Sequence, residues 1–403
     1  MANWVGKLIE AFRRWRRRRQ ERRLHFWPIP EAEIYDFADK AYDQCVKLVG
    51  VPADAQLPYK ICRSATWPYC AKGFRGYEIR LSSTSSTTRL KLVVAHEMYH
   101  RVTSVRTRQG VHRLYWVREM MAETAALRVI RRELSRHESY EYEARHFYNR
   151  SALPLSELKR CWPRPFASRY GLWKHPYPKG FYSGVARVGQ ALIVSVGMKR
   201  LCSLANARSL AAWVGSLPPY LRYSAADLLE LQNHGYERPT SVGLLCRHAG
   251  ALIHLDRFDD ARILLRELHQ MHPQNCRVLQ LLMRFSIRNA AYQTAVDYGL
   301  DCLRARPGEV RYMHNLISAY GYLDDDLSAM KWLNEIVRLR PQDPWGHQYT
   351  GILLIRMGRF TEAVEALKIV VNLDDNYYTP HAKVLIKKHQ QELSVVNDSL
   401  STG

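Results

Sequence analysis

The spacing of apolar residues changes period several times along the chain. In residues 2–24, Trp4, Val5, Leu8, Ile9, Phe12 and Trp15 fall within about 140° of arc at 100° per residue, which predicts an amphipathic helix with arginines over most of its remaining surface. Pro28 and Pro30 break that pattern, and residues 31–48 read as a second helix ending at Gly50. Between residues 57 and 85 the period shortens: Tyr59–Cys62 is a short, polar-edged strand, and Gly76–Ser82 alternates and is rich in β formers, so a small sheet is expected. Residues 87–104 and 112–134 return to helical periodicity, parted by a polar turn in which Gly110 can stop a helix. Residues 151–179 show no clean period and read as loop with short helices. Helices are then expected over 182–204, 209–217 and 225–232, with Pro218 and Pro219 between the last two.

From Val242 onward an internal repeat takes over. Ala261, Ala295, Ala329 and Ala363 are each 34 residues apart, as are Pro273, Pro307 and Pro341, with Asp375 in the fourth slot. A third column holds Leu265, Leu333 and Leu367, broken by Gly299 in the second repeat. A small residue lets the two helices of one unit approach, and Pro ends the second helix. With Ala249, Met283, Ile317 and Gly351 in one further column, and Tyr320 three residues on in the third repeat, this pattern resembles the tetratricopeptide repeat. That resemblance implies four helical hairpins over 242–395, with 379–393 as the polar capping helix, and a protein partner in their groove.

Composition adds a strong constraint. The 403 residues carry a formal charge of +22, and 47% hydrophobic content excludes wholesale disorder. From residue 242 onward Lys and Arg number 19 against 18 Asp and Glu, so the surplus lies in residues 1–241, and residues 1–30 alone hold +7. The repeat half therefore shows no net preference for polyanions. Eight dispersed cysteines without a C-x-x-C pair read as reduced thiols of an intracellular protein. The longest apolar stretch, around residues 188–198, is about half of what spans a bilayer. A cytoplasmic protein, peripheral at the membrane if the basic helix binds there, is the expectation.

The sharpest chemical motif is LKLVVAHEMYH. On a helix His96 and His100 lie one turn apart on the same face, so their imidazoles can share one zinc ion with Glu97 beside it. A third ligand is needed, and Glu119 and Glu123 on the next helix are available, with eighteen residues between His100 and Glu119. Here residues 30–215 resemble the gluzincin metallopeptidases, in which H-E-x-x-H is followed by a Glu ligand on the next helix. The resemblance implies an α+β, thermolysin-like domain with zinc held by His96, His100 and Glu119. It makes Glu97 the general base toward water, and gives Glu123 a supporting hydrogen bond to a ligand imidazole. A plain solvent-facing carboxylate is the other reading of Glu123.

In the aminopeptidase branch of that clan a Tyr ahead of an apolar helix stabilises the oxyanion. Tyr182 and Tyr177 both fit that place: Tyr177 keeps a Y-x-x-G spacing to Gly180, and helix length measured back from Gly197 favours Tyr182. The upstream G-x-M-E-N strand of the aminopeptidases has no counterpart, so an aminopeptidase is not expected.

The basic helix has several readings: a solvated tail or a helix covering its own domain, a contact with an anionic membrane surface, a targeting peptide, or, ranked last, a nucleic-acid contact. The sequence thus divides into a basic helix (1–29), a gluzincin-like domain (30–236), the tetratricopeptide array (242–395) and a disordered tail (396–403). The expected function is zinc-dependent peptide hydrolysis on a protein recruited by the array. The alternative is a non-catalytic interaction scaffold with a structural or degenerate metal domain.

Overall fold

The structure, a computed structural model, describes residues 27, 29–49, 59–64, 69–73, 76–82, 87–103, 114–130, 151–161, 178–232, 235–373, 378–379 and 381–389. The basic helix of residues 2–24, the turn at Gly110, most of the aromatic segment after residue 161, Tyr177 and the 396–403 tail lie outside them. Two compact units divide the chain, with the boundary between Pro239 and Thr240.

In the N-terminal unit, alternation in β3 (Gly76–Ser82) puts Tyr77, Ile79 and Leu81 into the core while Glu78 stays partly exposed. β3 is the central strand. β1 (Tyr59–Ser64) lies parallel to it with Ile61 opposite Ile79, and β2 (Tyr69–Gly73) pairs antiparallel with Cys70 opposite Ile79. β2 was not expected from the sequence: YCAKG is short and has too few apolar positions to show a period. The edge strand β1 is tied to the helix ahead of it, since the Ile61 N–H donates to the Tyr35 hydroxyl at 2.8 Å.

Helix α1 (Glu31–Val49) buries Ile34, Phe37, Ala38, Ala41 and Cys45 along one stripe and packs on α2 (Thr87–Thr103). α3 (Tyr115–Ile130) is different: twelve of its sixteen residues are buried, which leaves only Arg128 exposed and makes it the central helix of the unit. It contacts α1, α2 and α5 (Phe181–Val196), while the short α4 (Leu155–Leu158) also packs on α5. α5 approaches α3 through Gly189, where a Cβ would sit 2.3 Å from Thr124 Oγ1. The helix expected over 182–204 is broken at Gly197, whose φ of 87° and extended ψ end α5 and start α6 (Met198–Cys202). α7 (Leu210–Ser216) and α8 (Pro219–Leu228) complete the unit. α8 begins at Pro219 rather than at Ala225, because proline is well suited to the first helical turn.

The second unit is a row of helical hairpins: α9 (Val242–His254) with α10 (Phe258–Met271), α11 (Cys276–Arg288) with α12 (Tyr292–Ala305), α13 (Val310–Tyr322) with α14 (Asp326–Leu339), and α15 (Pro344–Arg356) with α16 (Phe360–Asn372). Residues 381–389 add a further helical segment. The Ala column, Ala261, Ala295, Ala329 and Ala363, is fully buried where the paired helices meet. The hairpin turns share a left-handed residue at the same 34-residue spacing, Asp256, Ala290, Asp324 and Gly358, with φ of 57°, 57°, 55° and 73°. The exceptions in the other columns compensate one another in volume. Gly299 stands where its neighbours carry Leu because Met283 and Leu316 fill the space: a Cβ there would lie 2.7 Å from each. In the last repeat the sizes reverse, and a Cβ on Gly351 would meet Leu367 Cγ at 2.6 Å. The unit is thus a tetratricopeptide-like array. Among the described residues no helix is long and apolar enough to cross a membrane, and Cys45, Cys62, Cys161, Cys202, Cys246, Cys276 and Cys302 are free thiols.

Candidate metal centre

α2 presents His96 and His100 toward the central helix α3, held there by the packing of its buried Leu90, Val94, Ala95, Met98 and Val102. Its far end is anchored by Arg101. That guanidinium is 6% exposed and lies 4.2 Å from the Tyr42 ring centroid, 4.3 Å from that of Tyr59 and 5.7 Å from that of Tyr77. This aromatic cage joins the residue next to His100 to both α1 and the sheet, which limits rotation of α2 about its axis.

α3 supplies the carboxylates. Glu119 and Glu123 are only 4% and 3% exposed, and ionised groups so deep need partners. Those partners are the imidazoles. Glu119 Oε2 lies 3.1 Å from His96 Nε2 and 3.5 Å from His100 Nε2, and the two Nε2 atoms are 3.1 Å apart. Glu123 Oε2 lies 3.0 Å from His96 Nδ1, on the opposite side of the same ring. The second oxygen of Glu119 faces Arg118, whose Nη2 is 3.4 Å from Oε1.

Burial alone would push His96 down, but the hydrogen bonds and charges of Glu119 and Glu123 override it and hold this imidazole well above its ordinary value. For His100 burial prevails over Glu119 and lowers it to about 4. Burial would raise Glu119, yet the charges and hydrogen bonds of His100 and His96 keep it well below the usual carboxylate range. Of the two imidazoles, His96 is therefore the one whose protonated form its surroundings favour, because it sits between Glu119 and Glu123.

The donor set fits a zinc ion. A tetrahedral ion with bonds of about 2.0–2.1 Å separates its ligand atoms by roughly 3.4 Å, and the triangle of His96 Nε2, His100 Nε2 and Glu119 Oε2 has edges of 3.1, 3.5 and 3.1 Å. Among the described residues this is the one group of three or more metal-ligating side chains whose ligand atoms converge. Glu97 follows His96 directly on α2 and is 4% exposed. Tyr182, at the start of α5, sets its ring edge-on to His96 with centroids 5.9 Å apart. Two residues beside the centre were not singled out in the sequence, Arg101 and Arg118. Either could have been noticed as a cation next to an expected ligand, but nothing local marks Arg101 as caged.

No protein-family model matches this sequence, and none of the curated proteins does. Among solved structures the chain is similar to YrrB, described as a TPR protein with an unusual peptide-binding site, at 16% identity over 38% of this chain and 78% of that one, with a TM-score of 0.34. It is also similar to MamA of Desulfovibrio magneticus RS-1, residues 41 to the end, at 17% identity over 38% and 86% of the two chains, with a TM-score of 0.34. A MamA MSR-1 structure matches at 21% identity over 38% and 87%, with a TM-score of 0.32. At such scores the repeat assignment stands on the array's own period and pairing.

Proposed function

We propose that the protein is a protein-binding helical-repeat chain whose N-terminal unit holds one zinc ion and uses it to hydrolyse a peptide bond. The observation that carries this reading is the triangle of His96, His100 and Glu119 on two packed helices, with Glu123 behind His96 and Glu97 next in sequence. The array is a protein-interaction fold and recruits the partner or substrate.

In this mechanism His96 and His100 hold the ion from α2, and Glu119 completes the set from α3. Glu123 accepts the Nδ1–H of His96, which fixes the tautomer and leaves Nε2 as the donor. When bound, zinc supplies Lewis acidity toward water and the scissile carbonyl. Glu97 takes the proton from the attacking water and passes it to the leaving amine. The Tyr182 hydroxyl donates a hydrogen bond to the oxyanion.

One observation favours a second reading, a scaffold with a structural metal: His96, Glu97 and Glu119 are each under 7% exposed, and a catalytic ion must keep a coordination position that substrate can reach. Two measurements separate the readings. Zinc content is measured in purified wild type and Glu97→Gln, and cleavage of a mixed peptide library is followed by mass spectrometry. The hydrolase reading requires zinc in both and cleavage by wild type alone; zinc in both with no cleavage by either leaves the scaffold.

A further inference from the structure

The near-neutral charge of the array conceals a separation by layer. The first helices of the hairpins, α9, α11, α13 and α15, contain six arginines and not one Asp or Glu. The second helices, α10, α12, α14 and α16, contain nine acidic residues against six basic ones. A sum over the repeats therefore misses a face made by helices that carry no negative side chain of their own.

Two of the six arginines are committed within the array: Arg288 pairs with Asp256, and Arg356 reaches Asp324 at 3.1 Å and Asp326 at 3.0 Å, bracing neighbouring hairpin turns. Others point away from the core. Arg277 is exposed and Arg284 half-exposed, seven residues apart on α11 and so on the same face. Arg311 is one repeat further on at the position of Arg277, also exposed, with only a 4.0 Å contact to Glu309 at its own helix start. The next equivalent is Trp345. Its ring lies 3.9 Å from that of His314 on α13 and 4.4 Å from that of Tyr349 in a stacked arrangement, so the aromatic surface is continuous from α13 to α15.

We propose that this face, from Arg277 across Arg311 to Trp345, docks a peptide segment rich in Asp and Glu that carries an aromatic or apolar side chain. The proposal rests on the reading that the array binds protein, and names the class of segment it takes. Guanidinium groups grip carboxylates in bidentate pairs, and a half-exposed Trp with a stacked Tyr gives an apolar anchor between them. A peptide fits this face better than a nucleic acid, because the acidic second helices bring the array's own net charge close to zero and leave its attraction to carboxylates local.

The test pans the full-length protein against a displayed library of random dodecapeptides and measures the recovered peptides by fluorescence anisotropy at low and high salt. Enrichment in Asp and Glu with an aromatic residue is expected, with binding that weakens as salt rises. Arg277→Glu/Arg311→Glu should weaken it at least about tenfold, and the milder Arg311→Gln less, with helix content unchanged by circular dichroism. Neutral or basic peptides binding as well, or acidic peptides binding the double variant equally, would overturn the acidic class while leaving the array a peptide binder. Recovery of no peptide at all would overturn both readings. A single-stranded RNA dodecamer that binds wild type but not the double variant, while acidic peptides do not compete, would assign the face to nucleic acid instead.

Discussion

His96 Nδ1 lies 3.0 Å from Glu123 Oε2, while Nε2 of the same ring faces Glu119 Oε2 at 3.1 Å. One imidazole thus spans two carboxylates a single turn apart on α3. The two glutamates have the same chemistry and different tasks: Glu119 faces both Nε2 atoms, and Glu123 meets the far side of the His96 ring.

That division predicts the effect of Glu123→Gln. The amide can turn its oxygen toward Nδ1–H, so the fold survives, but it lacks the charge that makes His96 a strong donor. Zinc affinity should fall roughly 10–100-fold, read by competition with a chromogenic chelator. An unchanged affinity would remove Glu123 from the centre.

Zinc binding should tighten as pH rises. His96 is protonated well above its ordinary pKa in the metal-free protein, so its stabilising contribution there is complete below the unfolded value of about 6.5 and is lost as pH climbs through the raised folded value. Zinc must displace that proton, so its apparent affinity should rise about tenfold per pH unit across this window. Calorimetry in buffers of different ionisation enthalpy should find close to one proton released per ion. A pH-independent affinity would contradict the protonated His96.

The volume exchange in the second repeat predicts a non-additive pair. Gly299→Leu alone overpacks against Met283 and Leu316 and should cost about 1–3 kcal/mol. Met283→Ala alone leaves a cavity and should also destabilise, by about 2–5 kcal/mol. The double variant recreates the Ala and Leu pairing of the first repeat, and its loss should be well below the sum of the two. Urea unfolding of all four proteins measures the coupling, and additive losses would rule out the exchange.

Ala290 occupies the left-handed turn position without the freedom of Gly358 or the local hydrogen-bonding capacity of Asp256 and Asp324. Ala290→Gly should therefore stabilise the array by up to about 1 kcal/mol, seen as a higher midpoint of thermal unfolding. A lower midpoint would mean that the turn carries no strain at this residue.

The sequence by itself determined what depends on local periodicity. The 34-residue spacing of Ala and Pro marks the hairpins because each unit meets its neighbour through the same contact. H-E-x-x-H puts His96 and His100 on one face because 3.6 residues make a turn. The breaks in the repeat columns, by contrast, are unreadable along the chain. Gly299 and Met283 look like two departures until the hairpin places them against each other. β2 carries too few apolar positions to announce itself, and only its pairing with β3 makes it a strand. The array's net charge conveyed nothing about its surface, because sorting arginines onto one helix layer and acids onto the other leaves the sum unchanged. The roles of Glu119 and Glu123 are likewise a matter of tertiary structure. Side chains one turn apart share a face of α3, so the sequence makes both available, and only the packing of α3 on α2 decides which carboxylate meets the two Nε2 atoms and which meets Nδ1 of His96.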